Sequence, residues 1–198
     1  MSGTIIDLQA GELESAVSDA HVSAAPIVVI NINDEIERTA DLTPRHIDWL
    51  SSPARTVIAV ASGPLIGNGI TLALSCDLFV ASQLATFDLA VDQTSQFPAK
   101  AAFGRLVERV SRSQVLALTL TGEIGAQRAL SLGLIDLIAS PEELESVLRI
   151  LSSADAGWLA EFKALLNQVE ESQLERERIS RRVQEAVVRL ISQTEEPQ

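Results

Sequence analysis

Short apolar runs alternate along the chain with longer segments in which apolar positions recur at helical spacing. Two runs rich in branched side chains, Ile27–Ile32 and Thr56–Ala61, predict strands that are buried on both faces. Three further runs predict strands at Thr4–Leu8, Asp77–Ala81 and Leu134–Ile138. Such continuous runs are typical of parallel strands that helices cover on both sides. The pattern therefore predicts a sheet in the interior of one domain.

Helical segments are expected between and after these strands, and several carry their own end signals. Thr43 precedes Pro44 at the start of one helix, and Gly122 and Gly133 follow the last residues of two others. Strands that alternate with helices predict an α/β fold built from right-handed units. The predicted helices are Glu12–Ala20, Pro44–Leu50, Ile70–Cys76, Pro98–Val110, Ser113–Thr121, Ala126–Leu132, Pro141–Ser152 and Gly157–Ser192.

The segment Ser62–Gly69 lies between the predicted strand Thr56–Ala61 and the predicted helix Ile70–Cys76. A glycine-rich turn that opens a helix directs backbone N–H groups toward one point. Converging N–H groups are what a developing oxyanion requires. The segment therefore predicts an oxyanion-binding turn, and the alternative interpretation is a tight turn with a purely structural role.

Composition narrows the class of protein. The 198 residues carry a formal net charge of −12, which disfavours binding to the phosphate backbone of nucleic acids. Hydrophobic residues make up 46% and aromatic residues only 4%, so the core of a single domain must consist mainly of aliphatic side chains. The first fifteen residues lack the pattern of a signal peptide, and no apolar stretch is long enough for a membrane span. We expect a cytoplasmic protein that binds neither nucleic acid nor membrane.

The residues that most often bind metals or act as nucleophiles are scarce. Cys76 is the single cysteine and lies within an apolar run, where a small buried side chain is expected. His21 and His46 are the two histidines, and neither has metal-ligand spacing to Cys76. The sequence therefore predicts no metal site and no cysteine–histidine catalysis.

Several motifs together resemble one family. Residues 57–82 read VIAVASGPLIGNGITLALSCDLFVAS, and residues 120–138 read LTGEIGAQRALSLGLIDLI. With the intervening ATFDL and FPAKAAFGR segments, residues 55–138 resemble the crotonase superfamily, also called the enoyl-CoA hydratase/isomerase family. The resemblance implies stacked ββα units followed by C-terminal helices. We expect a crotonase-like core over residues 1–140 and a helical region over residues 141–198 of the same domain.

The resemblance also implies ligands and partners. Members of this family hold an acyl thioester of CoA or of a carrier protein and need no further cofactor. Two backbone N–H groups polarise the thioester carbonyl, and an enolate is the common intermediate. The C-terminal helices of such proteins pack into trimers or hexamers. We therefore expect a homo-trimer or hexamer, with a pathway protein as a further candidate partner.

The same resemblance assigns candidate site residues. Asn68 matches the family's second oxyanion donor and lies between Gly67 and Gly69. Asn68 and Gly69 are thus the candidate backbone donors, and asparagine tolerates an unusual φ better than most residues. Gly67 and Lys100 are the candidates for contact with the thioester carrier, although a solvated lysine is the commoner case.

Other positions depart from the family's pattern. The two acid–base glutamates of the hydratases correspond to Thr71 and Val91, and neither side chain transfers a proton near neutral pH. Asp92 is one residue past the second position and is the candidate catalytic acid or base. The first oxyanion loop is represented by INDEIERTADL, residues 32–42, which lacks the usual glycine.

Two functions remain open at this point. The first is an enzyme that stabilises an enolate and acts as an isomerase, lyase or dehydratase of specialised metabolism. The second is a catalytically degenerate pseudo-hydratase that stabilises or activates a partner enzyme. In the second case we expect Ile66, Ile70 and Val91 to fill the pocket.

Overall fold

The computed structural model describes residues 5–32, 43–89, 106–107, 109–169 and 172. It contains two compact units, Met1–Leu159 and Ala160–Gln198. The first unit contains the sheets and the helices up to Ser153. In the second unit, residues 160–169 are helical. The predicted division at residue 140 stays a prediction.

The strands of the described residues form two sheets. In chain order the strands are β1 Ile5–Gln9, β2 Ile27–Ile32, β3 Thr56–Ala61, β4 Pro64–Ile66, β5 Leu78–Ala81, β6 Thr86–Asp88, β7 Ile124–Gly125 and β8 Leu137–Ile138. The larger sheet has the order β1-β2-β3-β5-β8, and each neighbouring pair is parallel. The smaller sheet has the order β4-β6-β7, with β4 parallel and β7 antiparallel to β6.

Helices connect these strands. They are α1 Leu13–Ser18, α2 Ala20–Ser23, α3 Pro44–Ser51, α4 Asn68–Leu74, α5 Arg112–Thr121, α6 Ala126–Leu132, α7 Pro141–Ser153 and α8 at residues 156–169. The segment from β3 through β4 to α4 is one complete ββα unit, because β3 belongs to the larger sheet and β4 to the smaller one. Strands β5 and β6 repeat the first two parts of that unit.

The ends of several helices follow the sequence signals. The Thr43 hydroxyl accepts the N–H of His46 at the start of α3, and the Ser140 hydroxyl accepts that of Glu143 at the start of α7. Gly133 has φ 78° and ψ 12° after α6, a left-handed conformation that favours glycine. The helix predicted over Glu12–Ala20 is instead divided, because Asp19 is extended and its carboxylate caps α2.

The larger sheet is buried on both faces. On one face the rings of Phe79 and Phe87 meet edge to face, with their centroids 5.6 Å apart. On the other face Leu144 and Leu148 of α7 pack against a cluster that includes Ile58. These contacts explain why the strands are continuous apolar runs in the sequence. The connection from β3 to α4 follows the carboxyl end of β3.

Candidate functional site

The connection from β3 to α4 contains the predicted oxyanion-binding turn. Strand β3 ends at Ala61, β4 follows at Pro64–Ile66, and α4 begins directly after Gly67. Gly67 has φ 56° and ψ −111°, a conformation that side chains with a Cβ rarely adopt. The helix thus begins at Asn68 rather than at the predicted Ile70. The unusual φ belongs to Gly67, so the tolerance of asparagine for such a φ is not needed at Asn68.

Gly69 brings this turn close to the end of β2. A Cβ on Gly69 would lie 3.2 Å from the Leu65 Cγ atom and 3.5 Å from the Ile32 Cγ2 atom. Ile32 is the last residue of β2, and Leu65 is the middle residue of β4. The absence of a side chain at Gly69 therefore allows the first turn of α4 to pack against both strands.

The open side of the turn lies at Gly67. A Cβ added there would meet no atom of the described residues within 4 Å. The first four N–H groups of a helix have no partner within the helix, so those at the start of α4 depend on other acceptors. Gly67, Asn68 and Gly69 thus lie together in one turn at the start of α4.

Thr71 occupies the position that the resemblance assigns to the first hydratase glutamate. Its side chain is buried, with 2% of the residue exposed. The Thr71 hydroxyl donates to the carbonyl of Gly67 at 3.4 Å, and the Thr71 N–H donates to the same oxygen at 3.2 Å. This hydroxyl is directed at the backbone of the turn. Sequence reasoning missed this contact, although a threonine four residues after a helix-capping residue is the signal for it.

The neighbouring strand β6 places one carboxylate near the turn. Ile66 and Asp88 are paired in the register of β4 and β6, and Ile66 directly precedes Gly67. Asp88 is half-buried. Ile66 is 43% exposed and Ile70 is 2% exposed, so only Ile70 belongs to the core. Because Ile66 is largely exposed, it does not fill a buried pocket as the pseudo-hydratase interpretation expects.

Some predicted site residues cannot be placed. Asp92, Lys100 and Val91 lie outside the described residues, as does the segment 33–42 that follows β2. Their roles stay predictions. The predicted helix beyond residue 172 and most of the helix predicted over Pro98–Val110 also lie outside the described residues. Of the latter, residues 106, 107 and 109 are described and helical.

Cys76 and His46 form hydrogen bonds with other residues and not with each other. The Cys76 thiol is buried and donates to the Leu72 carbonyl at 3.4 Å. The His46 Nδ1 atom accepts the Thr43 N–H at 3.2 Å, and its Nε2 atom lies 2.6 Å from a Glu14 carboxylate oxygen. In the part of the chain that the structure describes, no three histidine, cysteine or acidic residues are arranged to hold a metal ion. No helix among those residues is long and apolar enough to traverse a bilayer.

Sequence comparison connects this architecture with proteins that act on CoA thioesters. A sequence model described as Enoyl-CoA hydratase/isomerase matches residues 41–194. The 2,3-dehydroadipyl-CoA hydratase of Escherichia coli (strain K12) is 30% identical over 156 residues, which cover 71% of this chain and 61% of that protein. The chain thus spans about three fifths of the length of this curated relative.

Structural comparison identifies the same fold. A Thermobifida fusca YX protein described as an enoyl-CoA hydratase, solved in complex with CoA, superposes with a TM-score of 0.67 at 23% identity. The match covers 92% of this chain and 83% of that one. The protein ThnE from S. clavuligerus superposes with a TM-score of 0.64 at 22% identity and covers 89% and 94% of the two chains. These similarities confirm the predicted crotonase-like α/β fold.

Proposed function

Because this chain belongs to the enoyl-CoA hydratase/isomerase family, we propose that it binds an acyl thioester and stabilises its enolate at the turn Gly67–Gly69. The observation that carries the proposal is the turn itself. Gly67 takes a positive φ directly before α4, and Gly69 packs the first turn of that helix against the end of β2, which supports Asn68 and Gly69 as backbone donors. This part of the proposed site, the backbone N–H donors to the thioester carbonyl, requires no particular side chain.

In the proposed reaction the thioester carbonyl oxygen accepts hydrogen bonds from the Asn68 and Gly69 N–H groups. Negative charge grows on that oxygen as the enolate forms, so fixed donors bind the transition state better than the substrate. The start of α4 adds a favourable dipole for the same charge. The absence of a Cβ at Gly67 allows the acyl group to approach the turn closely.

The proposed chemistry is that of an isomerase, lyase or dehydratase that uses one carboxylate, rather than that of a hydratase that uses two acid–base glutamates. Thr71 stands where the resemblance implies the first of those two glutamates. The buried Thr71 hydroxyl is directed at the Gly67 carbonyl and has no acidic proton to offer near neutral pH. We assign proton transfer to Asp92. Asp88, at the end of β6, is a described carboxylate whose residue pairs with Ile66 beside the turn.

The carrier of the acyl group is CoA or a carrier protein. The T. fusca protein was solved with CoA, which supports a CoA thioester as the first ligand to test. Lys100 is our candidate for contact with a phosphate of the carrier. No other cofactor is required by enolate chemistry. We further propose that the chain assembles as a homo-trimer or hexamer, to be tested by light scattering after gel filtration.

One observation favours a second function. A buried threonine in place of an acid–base residue is also what a catalytically degenerate pseudo-hydratase would contain. Such a protein would stabilise or activate a partner enzyme and would not turn over a thioester. The two functions differ in whether the turn still binds a thioester carbonyl.

Thermal melting with free CoA, acetyl-CoA and an enoyl-CoA tests the proposal first. A ligand at 100 times its Kd stabilises the native state by about 2.7 kcal/mol, which shifts the melting temperature measurably. We expect a shift with the acyl-CoAs. If phosphopantetheine-linked acyl groups shift the melting temperature and CoA thioesters do not, the carrier is a carrier protein. If neither kind of thioester causes a shift, the proposed function is wrong.

Turnover of a panel of acyl thioesters then separates the two functions. We expect Asp92→Asn to abolish turnover while the melting temperature stays unchanged. Asp88→Asn is the matched control, because it removes a carboxylate on the strand beside the turn. Unchanged turnover in Asp92→Asn would exclude this residue as the acid or base. Binding without turnover of any thioester would favour the pseudo-hydratase.

A further inference from the structure

We propose that Thr71 is a positioning residue, whose buried hydroxyl holds the peptide between Gly67 and Asn68 so that its N–H group points out of the turn. This inference rests on the proposed function, because the N–H group concerned is the proposed donor to the thioester carbonyl. It assigns a role to a side chain that stands where the resemblance implies a hydratase glutamate. The role is mechanical and requires no proton to leave the hydroxyl.

The first step concerns the oxygen that Thr71 contacts. The Gly67 carbonyl accepts the Thr71 N–H at 3.2 Å, which is the first hydrogen bond of α4. It also lies 3.4 Å from the Thr71 hydroxyl. A carbonyl oxygen has two lone pairs, so both donors can be accommodated. Because 2% of Thr71 is exposed, water has little access to compete for its hydroxyl.

The second step follows from the planarity of the peptide. The Gly67 carbonyl and the Asn68 N–H group belong to the same peptide unit, and no peptide bond among the described residues is cis. In a trans peptide these two groups point in opposite directions. When the oxygen is held along the helix toward Thr71, the Asn68 N–H must point away from the helix.

The third step explains why a second bond is useful here. Gly67 must be glycine because of its φ of 56°, but glycine also has the least restricted ψ of all residues. Rotation about the bonds that flank the Gly67–Asn68 peptide would turn the Asn68 N–H away from the ligand. The Thr71 hydroxyl adds an interaction that opposes this rotation. Glycine permits the turn, and threonine limits the freedom that glycine brings.

Three variants test this inference. Thr71→Val removes the hydroxyl with little change in shape, and Thr71→Ser keeps a hydroxyl at the same position. Ser75→Ala is the matched control, because the Ser75 hydroxyl is also buried and donates to a carbonyl of the same helix, that of Thr71, at 3.0 Å. It differs in that its acceptor, the Thr71 carbonyl, lies one turn after the Gly67 carbonyl.

The probe is para-dimethylaminocinnamoyl-CoA, whose absorption moves to longer wavelength when its thioester carbonyl is polarised by hydrogen bonds. We expect a smaller red shift in Thr71→Val, recovery in Thr71→Ser and no change in Ser75→Ala. The affinity for the probe should fall by about tenfold or less, the size expected for one hydrogen bond. A full red shift in Thr71→Val would overturn the inference.

A measurement without ligand separates this inference from the proposed function. In amide NMR spectra we expect the Asn68 resonance to move in Thr71→Val and to return in Thr71→Ser. If the wild-type protein causes no red shift, the proposed function fails, and the Asn68 resonance alone decides the positioning role. An unmoved Asn68 resonance would overturn that role. Thr71→Ala serves the same comparisons if Thr71→Val does not fold.

Discussion

The carboxylate of Asp136 accepts the backbone N–H of Phe79 at 2.7 Å, while the Asp136 N–H donates to the Phe79 carbonyl at 2.9 Å. Asp77 and Val57 form the same two hydrogen bonds, at 2.7 and 2.9 Å. Each aspartate directly precedes a strand of the larger sheet and bonds to the neighbouring strand of that sheet; we call these two pairs of hydrogen bonds the aspartate clamps. The clamps therefore set where β5 and β8 join their neighbours.

Removing one of these carboxylates should destabilise the fold without touching the turn. In Asp136→Ala the buried Phe79 N–H loses its acceptor, which should lower the free energy of unfolding by about 1–3 kcal/mol. Asp136→Asn keeps an acceptor oxygen and loses the ion pair with Arg109, whose Nη1 lies 3.0 Å from the carboxylate. Since that pair is partly exposed, its loss should cost about 1 kcal/mol or less. Urea denaturation measures both values.

The matched comparison for this prediction is Asp77. Asp77→Ala should lower the free energy of unfolding by a similar amount, because Val57 is fully buried like Phe79. Equal stabilities of the alanine and asparagine variants at position 136 would show that the accepted N–H contributes nothing.

The conformation of Gly67 should tolerate no side chain. Gly67→Ala places a Cβ on a residue with φ 56°, which should lower the free energy of unfolding by about 1–3 kcal/mol even though space is available. Gly63→Ala is the control, because Gly63 also has free space around its Cβ position but no positive φ. Its effect should lie within about 0.5 kcal/mol. Urea denaturation compares the two, and equal losses of stability would contradict the argument.

Glu142 in the first turn of α7 should make stability depend on acid pH. Its pKa lies below the ordinary value, because the carboxylate accepts a hydrogen bond from its own backbone N–H and another from the Ser140 hydroxyl. A lowered folded-state pKa means that the contribution is present above the unfolded-state pKa and is lost as pH falls through the folded-state pKa. Glu142→Gln should therefore be less stable than the wild type near neutral pH, with the difference vanishing in acid.

An NMR titration of the Glu142 carboxyl group checks the cause of this effect. In Ser140→Ala one of the two hydrogen bonds is absent, so the pKa of Glu142 should rise toward its ordinary value. An unchanged midpoint in Ser140→Ala would remove the Ser140 hydroxyl as a cause.

Cys76 should react with thiol reagents only when the protein unfolds. Its side chain is buried, and its thiol donates to a backbone carbonyl of α4. We expect Ellman's reagent to titrate no thiol in native buffer and one thiol per chain in guanidinium, since Cys76 is the single cysteine. Fast labelling in native buffer would show that the segment around Cys76, directly after α4, opens without global unfolding.

The longer strands were predictable because a strand buried on both faces is a continuous run of apolar residues in the sequence. Strands β2 and β3 have the bounds that their apolar runs predict, Ile27–Ile32 and Thr56–Ala61. Strands β4, β6 and β7 were missed, because two or three residues show no periodicity. They are strands only through pairing with each other, as in the register of Pro64 with Thr86.

The position of the candidate site was predictable for a different reason. Glycines at positions 67 and 69 between a buried strand and a helix indicate a turn in any fold of this class. Only the structure shows that Gly67 takes the positive φ, that α4 begins at Asn68, and that Gly69 packs against Ile32 and Leu65.

By itself, the sequence determined the α/β class, the buried parallel strands, several helix ends and the family, because each depends on side chains near one another along the chain. The tertiary structure alone decided the second sheet, the aspartate clamps and the direction of the Thr71 hydroxyl. The second sheet and the clamps join residues that are far apart in the sequence, and the direction of the hydroxyl depends on the packed backbone. Local sequence patterns contain no information on such contacts.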